Sequence, residues 1–276
     1  MKNITEQESP YNNLEQLSVG QLIAHINNED QTVAPSVRRA AHQLEALIQG
    51  VVERMQSGGR LFYIGAGTSG RLGILDASEC PPTYGVPPNL VHGLIAGGDA
   101  AIRNPVEHAE DNDAQAFNDL RGCAITPKDC VLGIAASGTT PYVLGGLRQA
   151  NALGCLTGCI VCNANSPIAA EAQCPVEIIT GPEFVTGSTR MKAGTATKMA
   201  LNTISTATMI RLGRVKGNKM VDMQLSNAKL RDRGVRMVMA ETAMDYATAQ
   251  ALLEKHRSVR KAIEKGSIPN SSATRT

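Results

Sequence analysis

Hydrophobic positions change their period along this chain, and the changes predict its elements. Apolar residues at Val37, Ala40, Ala41, Leu44, Leu47, Ile48, Val51 and Met55 fall on one helical face. Ser57-Gly58-Gly59 closes that helix, since glycine tolerates the backbone that ends one. Short apolar runs then predict strands at 61–64, 90–95, 130–135, 156–162 and 176–179, with helical spacing at 69–79, 100–109, 142–153 and 167–172 between them. Pro81-Pro82 is expected to end the first of these helices. Apolar strands alternating with helices imply an α/β fold, a five-stranded, doubly wound parallel sheet with helices on both faces. Right-handed crossovers then bring the loops that follow the strands to one common edge.

Beyond the strands the period is helical throughout. A long helix is expected over 190–212, with Ala196, Met199, Ala200, Thr203, Ala207 and Ile210 on one face. The predicted division is an N-terminal helical segment at 1–52, a sheet domain at 53–216 and a helical C-terminal region at 217–276. Residues 1 to about 17 and the tail at 267–276 read as polar and mobile.

Charge and composition narrow the function. Lys and Arg number 27 against 25 Asp and Glu, with no basic run interleaved with aromatics, which argues against nucleic acid and against a polybasic membrane contact. With no Trp, 5 Tyr and 3 Phe, aromatic stacking is not expected to dominate recognition. The first 25 residues lack the apolar core of a signal peptide, and no long apolar run follows, so a cytoplasmic protein is expected. The 7 cysteines read as reduced core thiols. Cys155, Cys159 and Cys162 lie in an apolar strand, without a second Cys or His pair to complete a metal site.

Three small hydroxylated runs carry the candidate chemistry: Gly65-Ala66-Gly67-Thr68-Ser69-Gly70, Ala136-Ser137-Gly138-Thr139-Thr140 and Gly187-Ser188-Thr189-Arg190. The first two each follow a strand and precede a helix. There, free backbone N–H groups, hydroxyls and the helix dipole suit a phosphate. Candidate binding residues are therefore Gly67, Thr68, Ser69, Ser137, Gly138, Thr139, Thr140, Ser188 and Thr189. Arg190 and Lys192, with Lys198 behind them, are candidate cations for the phosphate or a second carboxylate. The first run also fits a dinucleotide fingerprint, but the second strand ends Ile95-Ala96-Gly97-Gly98 without the acid a ribose needs. No Gly-Lys-Ser/Thr ending suits a nucleotide triphosphate. Ordinary capped turns are the plain alternative.

Between the first two runs lies Asp76-Ala77-Ser78-Glu79-Cys80-Pro81-Pro82, and Glu110 follows inside Glu107-His108-Ala109-Glu110-Asp111. Spacing alone reads Glu110 as part of a solvated acidic face. The strings Tyr63-Ile64-Gly65-Ala66-Gly67-Thr68-Ser69-Gly70-Arg71-Leu72-Gly73, Asp76 to Thr83 and Thr186-Gly187-Ser188-Thr189-Arg190-Met191-Lys192-Ala193-Gly194-Thr195 closely resemble the N-acetylmuramic acid 6-phosphate etherases. These are lyases of the sugar isomerase (SIS) domain superfamily, and the likeness runs from about residue 10 to 263. The resemblance implies a SIS-type fold and cleavage of the lactyl ether of a phosphorylated amino sugar in peptidoglycan recycling, without metal or nucleotide cofactor. It also implies that Glu79 and Glu110 are the two functional glutamates.

The chemistry explains a need for two acids. An ether leaves poorly, but opening the sugar to its C1 aldehyde acidifies the C2 hydrogen. A base then removes that hydrogen while an acid protonates the departing lactate oxygen, so one carboxylate is ionised and the other protonated. Glu110 is assigned as the C2 base and Glu79 as the acid. Glu79 lies about ten residues, roughly 15 Å, from the phosphate-gripping end of its helix. It is therefore expected to serve the neighbouring subunit of a homodimer, unless a break near Gly73 folds it back. Two rivals remain open at this stage: an aldose–ketose phosphosugar isomerase, and a non-catalytic sugar-phosphate sensor resembling glucokinase regulatory protein.

Overall fold

Five strands form one parallel sheet in the order β2-β1-β3-β4-β5 in the computed structural model, which describes residues 3–267. The tail expected to be mobile lies, past Ser267, outside the described residues. Three helices lead in: α1 (Val19–Asp30), α2 (Val33–Arg39) and α3 (Ala41–Gln56). Then follow β1 (Leu61–Gly65), α4 (Gly67–Tyr84), β2 (Val91–Ile95), α5 (Ala100–Arg103), α6 (Gln115–Gly122), β3 (Cys130–Ile134), α7 (Pro141–Leu153), β4 (Leu156–Val161), α8 (Pro167–Glu171), β5 (Cys174–Glu177) and α9 (Lys192–Arg211). The last helices are α10 (Ala228–Thr242), α11 (Tyr246–His256) and α12 (Val259–Gly266). No helix of the described residues is long and apolar enough to cross a membrane.

β1 and β3 are wholly buried, which is why they read as continuous apolar runs rather than alternating ones. Their side chains still alternate between faces. Phe62 and Ile64 join Val131, Tyr142, Val143 and Leu147 in one core cluster. On the opposite face Gly73 of α4 seats against Tyr63 and Ile134, where an added Cβ would lie 3.0 Å from Tyr63. From β1 the chain crosses first to β2 and then back past β1 to β3, so the order reverses between β1 and β3. Ligands of open α/β sheets bind at the carboxyl ends of strands at such a reversal.

The chain divides into two compact units, Met1–Ser78 with Asn89–Thr208 and Glu79–Pro88 with Met209–Thr276. The division differs from the three parts expected. The N-terminal helices pack within the first unit, where α3 lies against β4 and β5. In the second unit α10, α11 and α12 surround Val221, Val235, Val238, Leu253, Val259 and Ile263. Arg260 holds Asp222 there through two bonds of 2.7 and 2.8 Å.

Three other expectations are corrected. The helix meant to stop at Pro81-Pro82 continues to Tyr84 and ends at Gly85, whose φ is +63°. The prolines remove the donors for the carbonyls of Ala77 and Ser78, and the unit boundary falls at that point. The helix expected over 100–109 stops at Arg103, and a 3₁₀ turn at Ala109–Asp111 follows His108, whose φ is +58°. The N-terminal segment is not loose: it makes 3₁₀ turns at Ile4–Glu6 and Leu14–Gln16, and Thr5 is fully buried.

Candidate active site

The first two hydroxylated loops meet at the reversal between β1 and β3. Gly67, at φ +53°, turns the chain from β1 into α4, whose first N–H groups point outward without helical acceptors. After β3, Gly138 takes φ +73°, and an added Cβ there would lie 2.3 Å from the Ser166 side chain. Thr140 stands at the N-cap of α7 with Pro141 at the first helical position, and its side chain makes no capping bond to the helix. A cavity of about 230 Å³ opens between these loops, lined by Gly67, Thr68, Ser69, Ser137, Thr140, Thr189 and Thr197 among others. Among the described residues, nothing hydrogen-bonds the hydroxyls of Thr68, Ser69, Thr140 or Thr189. Free hydroxyls beside two helix N-termini make a site for an anion such as a phosphate.

Glu110 lines this cavity and a second one, also about 230 Å³, bounded by Arg71, Val106, Glu107 and His108. A 3₁₀ turn rather than a helix face carries it there, and its side chain stays exposed, as spacing alone reads it. Glu79 is exposed on α4 and lines neither cavity. Nor does a break near Gly73 fold it back, because α4 runs unbroken from Gly67 to Tyr84. Leu75, one turn before Glu79 on the same face, is 51% exposed.

The remaining acid of that block is an anchor. Asp76 is buried and accepts bonds from Tyr63 Oη at 2.9 Å, Asn202 Nδ2 at 2.8 Å and Ser205 Oγ at 3.0 Å. These bonds tie α4 to β1 and to α9, and so fix the helix that opens the first loop.

The third run behaves differently from the first two. Buried Glu183 accepts the N–H groups of Lys192 and Ala193, both at 2.9 Å, so the first turn of α9 is already satisfied by a carboxylate. Thr189 reaches the cavity, but Ser188 and Arg190 do not line it. Lys192 is corrected as a phosphate ligand: it is 4% exposed and its Nζ bonds Glu29 Oε2. Arg190 and Lys198 are exposed. Thr139 lies beside the cavity wall, with its N–H and hydroxyl directed to Ser137 Oγ, and buried Gly138 shapes the loop.

Three residues of the site were missed from sequence. Asn163, past β4, donates to the carbonyls of Ala136 and Ser137 at 3.0 and 3.2 Å, propping the second loop. Its position at a strand's carboxyl end was the available signal. Thr5 bonds that same Asn163, and Glu6 lines the cavity. Nothing in the local pattern of the first residues distinguishes them from a solvated lead-in.

Five of the seven cysteines are buried as expected, while Cys123 and Cys174 are only half-buried. Cys130, Cys159 and Cys162 are buried, and burial pushes each thiol up to about 12. No group of three or more His, Cys, Asp or Glu among the described residues is placed to hold a metal ion.

Comparison with known proteins joins this geometry to a family. The glucokinase regulatory protein N-terminal SIS domain matches residues 43–151, and the SIS domain matches residues 101–207. The chain is 60% identical over 261 residues to the N-acetylmuramic acid 6-phosphate etherase of Bacteroides fragilis, covering 95% of this chain and 93% of that one. It is 59% identical to the enzyme of that name from Porphyromonas gingivalis, covering 95% and 96%. With the one from Geobacillus it shares 52% identity over 89% and 83%. Among solved structures, a protein of Bacteroides fragilis described as a phosphosugar isomerase involved in capsule formation superposes with a TM-score of 0.54 at 22% identity, over 70% of this chain and 92% of that one. A phosphoheptose isomerase from Francisella tularensis gives 0.51 at 14%, over 71% and 100%. Both likenesses are of fold.

Proposed function

The chain belongs to the N-acetylmuramic acid 6-phosphate etherase family, and from that premise we infer how it cleaves the lactyl ether of this sugar phosphate. The phosphate binds at the N-termini of α4 and α7, against Thr68, Ser69, Ser137 and Thr140. With the ring open at C1, Glu110 takes the proton from C2. The C3–O bond breaks, and Glu79 gives its proton to the departing lactate oxygen. The electron pair of the C2–H bond becomes the C2–C3 double bond. Water then adds at C3, with Glu79 taking its proton and Glu110 returning one to C2, giving N-acetylglucosamine 6-phosphate and D-lactate.

The observation that carries this reading is Glu110 on the wall of the hydroxyl-lined cavity. Glu79 acts in the pocket of a partner subunit, in a homodimer working in the cytoplasm. An unbroken α4 that keeps Glu79 exposed, next to exposed Leu75, supports a shared pocket. The test is C2 hydrogen–deuterium exchange and D-lactate release in single variants. Exchange should survive in Glu79→Gln and vanish in Glu110→Gln, and solvent oxygen should appear at C3. The reverse pattern exchanges the two roles, and a ketose product without lactate sinks the elimination. For the shared pocket, mixed dimers of Glu79→Gln and Ser137→Ala subunits should show activity, at a fixed substrate level below the variant's KM, beyond that of either parent.

A further inference from the structure

Residues 4–6 are held against the cavity by the same amide that props its second loop. Thr5 N–H donates to Asn163 Oδ1 at 3.2 Å, and Asn163 Nδ2 donates to Thr5 Oγ1 at 2.9 Å. A second tie follows at Ser9, whose N–H donates to Thr186 Oγ1 at 3.0 Å and whose hydroxyl donates to the Phe184 carbonyl at 2.7 Å. The Tyr11 ring then packs on Phe184, with centroids 5.0 Å apart. The lead-in is thus fastened at both ends, to the strand edge and to the third loop.

Between those ties stands Glu6, a lining residue of the cavity. A Cβ on Gly187 would come 3.2 Å from Glu6 Oε2, so the carboxylate lies over the third loop where that loop has no side chain. Among the described residues no Lys, Arg or His pairs with it. The rest of the wall offers hydroxyls and backbone donors suited to an anion. An unpaired carboxylate facing a bound phosphate would repel it. The end of the ligand that meets Glu6 must instead be uncharged and carry donors.

We propose that this N-terminal segment is a built part of the substrate site, in which Glu6 accepts a hydrogen bond from a neutral donor of the bound sugar, a ring hydroxyl or the amide N–H of an amino sugar. Thr5 and Asn163 are its positioning residues. The phosphate thereby points to the α4 and α7 ends and the sugar to the third loop. The proposal rests on the sugar-phosphate reading above for the identity of the ligand, and not on the roles given to the two catalytic glutamates.

The test uses the full chain tagged at its C-terminus, with Glu6→Gln, Glu6→Ala and Thr5→Ala compared with the parent. Removing a charge-assisted bond to the sugar should raise KM for N-acetylmuramic acid 6-phosphate by about tenfold or more, with the effect falling on KM rather than kcat. Inorganic phosphate, measured by calorimetry, should bind each Glu6 variant as well as the parent, or more tightly. Thr5→Ala should share the KM effect while keeping the parent's melting temperature to within a few degrees. An unchanged KM, or a fall in KM together with tighter phosphate binding, overturns the proposal, since Glu6 would then only repel an entering anion. Equal weakening of substrate and phosphate also overturns it, as mere distortion of the pocket. C2 exchange in Glu110→Gln is read alongside. Exchange that survives there removes the base assignment and leaves the Glu6 result standing.

Discussion

The two edges of the sheet spend similar polar residues in opposite ways. At the edge where the strands begin, Asp129 is buried and every oxygen is used. It accepts Arg60 N at 2.8 Å, Arg60 Nη2 at 2.9 Å and Thr126 N at 2.8 Å. Arg60 completes the cluster on the carbonyls of Cys123 and Ala124. Burial alone would push the Asp129 carboxyl up, but the bonds from Arg60 and Thr126 outweigh it and hold it below the ordinary carboxylate value. At the edge where the strands end, the hydroxyls of Thr68, Ser69, Thr140 and Thr189 face a cavity with no hydrogen-bond partner among the described residues. A satisfied edge stabilises, while an unsatisfied one is available to a ligand. Position at the carboxyl ends and freedom from internal bonds identify the site better than residue type does.

Substitutions at the two edges should therefore separate kinetics from stability. The largest effect is expected from Glu110→Gln, with kcat for D-lactate release falling by about a thousandfold and the melting temperature unmoved. Next, Ser137→Ala should raise KM by about tenfold to a hundredfold, again with an unchanged melting curve. At the opposite edge Asp129→Asn should cost about 3 kcal/mol of stability in denaturant titration, while kcat per folded molecule stays at the parent value.

The pH dependence of that loss has a definite sign. A carboxyl whose folded value is depressed contributes its stability above the unfolded pKa and loses it as pH falls through the folded one. The gap between parent and Asp129→Asn should be widest near neutrality and close in acid. A gap that widened in acid would break the contrast between the edges. The smallest effect is expected at Cys130, beside Asp129. With its thiol pushed up to about 12, it should stay unlabelled by a thiol reagent at pH 8 until the protein unfolds.

Much of this was legible in sequence because the local signals were strong. Wholly apolar β1 and β3, followed by Gly-Ser-Thr turns, mark both the parallel sheet and the edge at which the cavity opens. The prolines in α4 misled because proline's cost is local, and here they stand in the last turn, two residues before the helix ends at Tyr84. Lys192 misled because its partner, Glu29, is 163 residues away in sequence. Thr5, Glu6 and Asn163 escaped for the same reason: their meaning depends on contacts that periodicity does not encode.

That distance sets an order of events during synthesis. The segment carrying Thr5 leaves the ribosome early, yet the amide that receives it belongs to a residue 158 positions later. Until β4 has emerged and docked, the nascent chain can form the turn from β1 into α4 but cannot bring Thr5 to Asn163. The wall of the cavity that Glu6 lines therefore waits on a contact that needs the chain synthesised at least as far as Asn163.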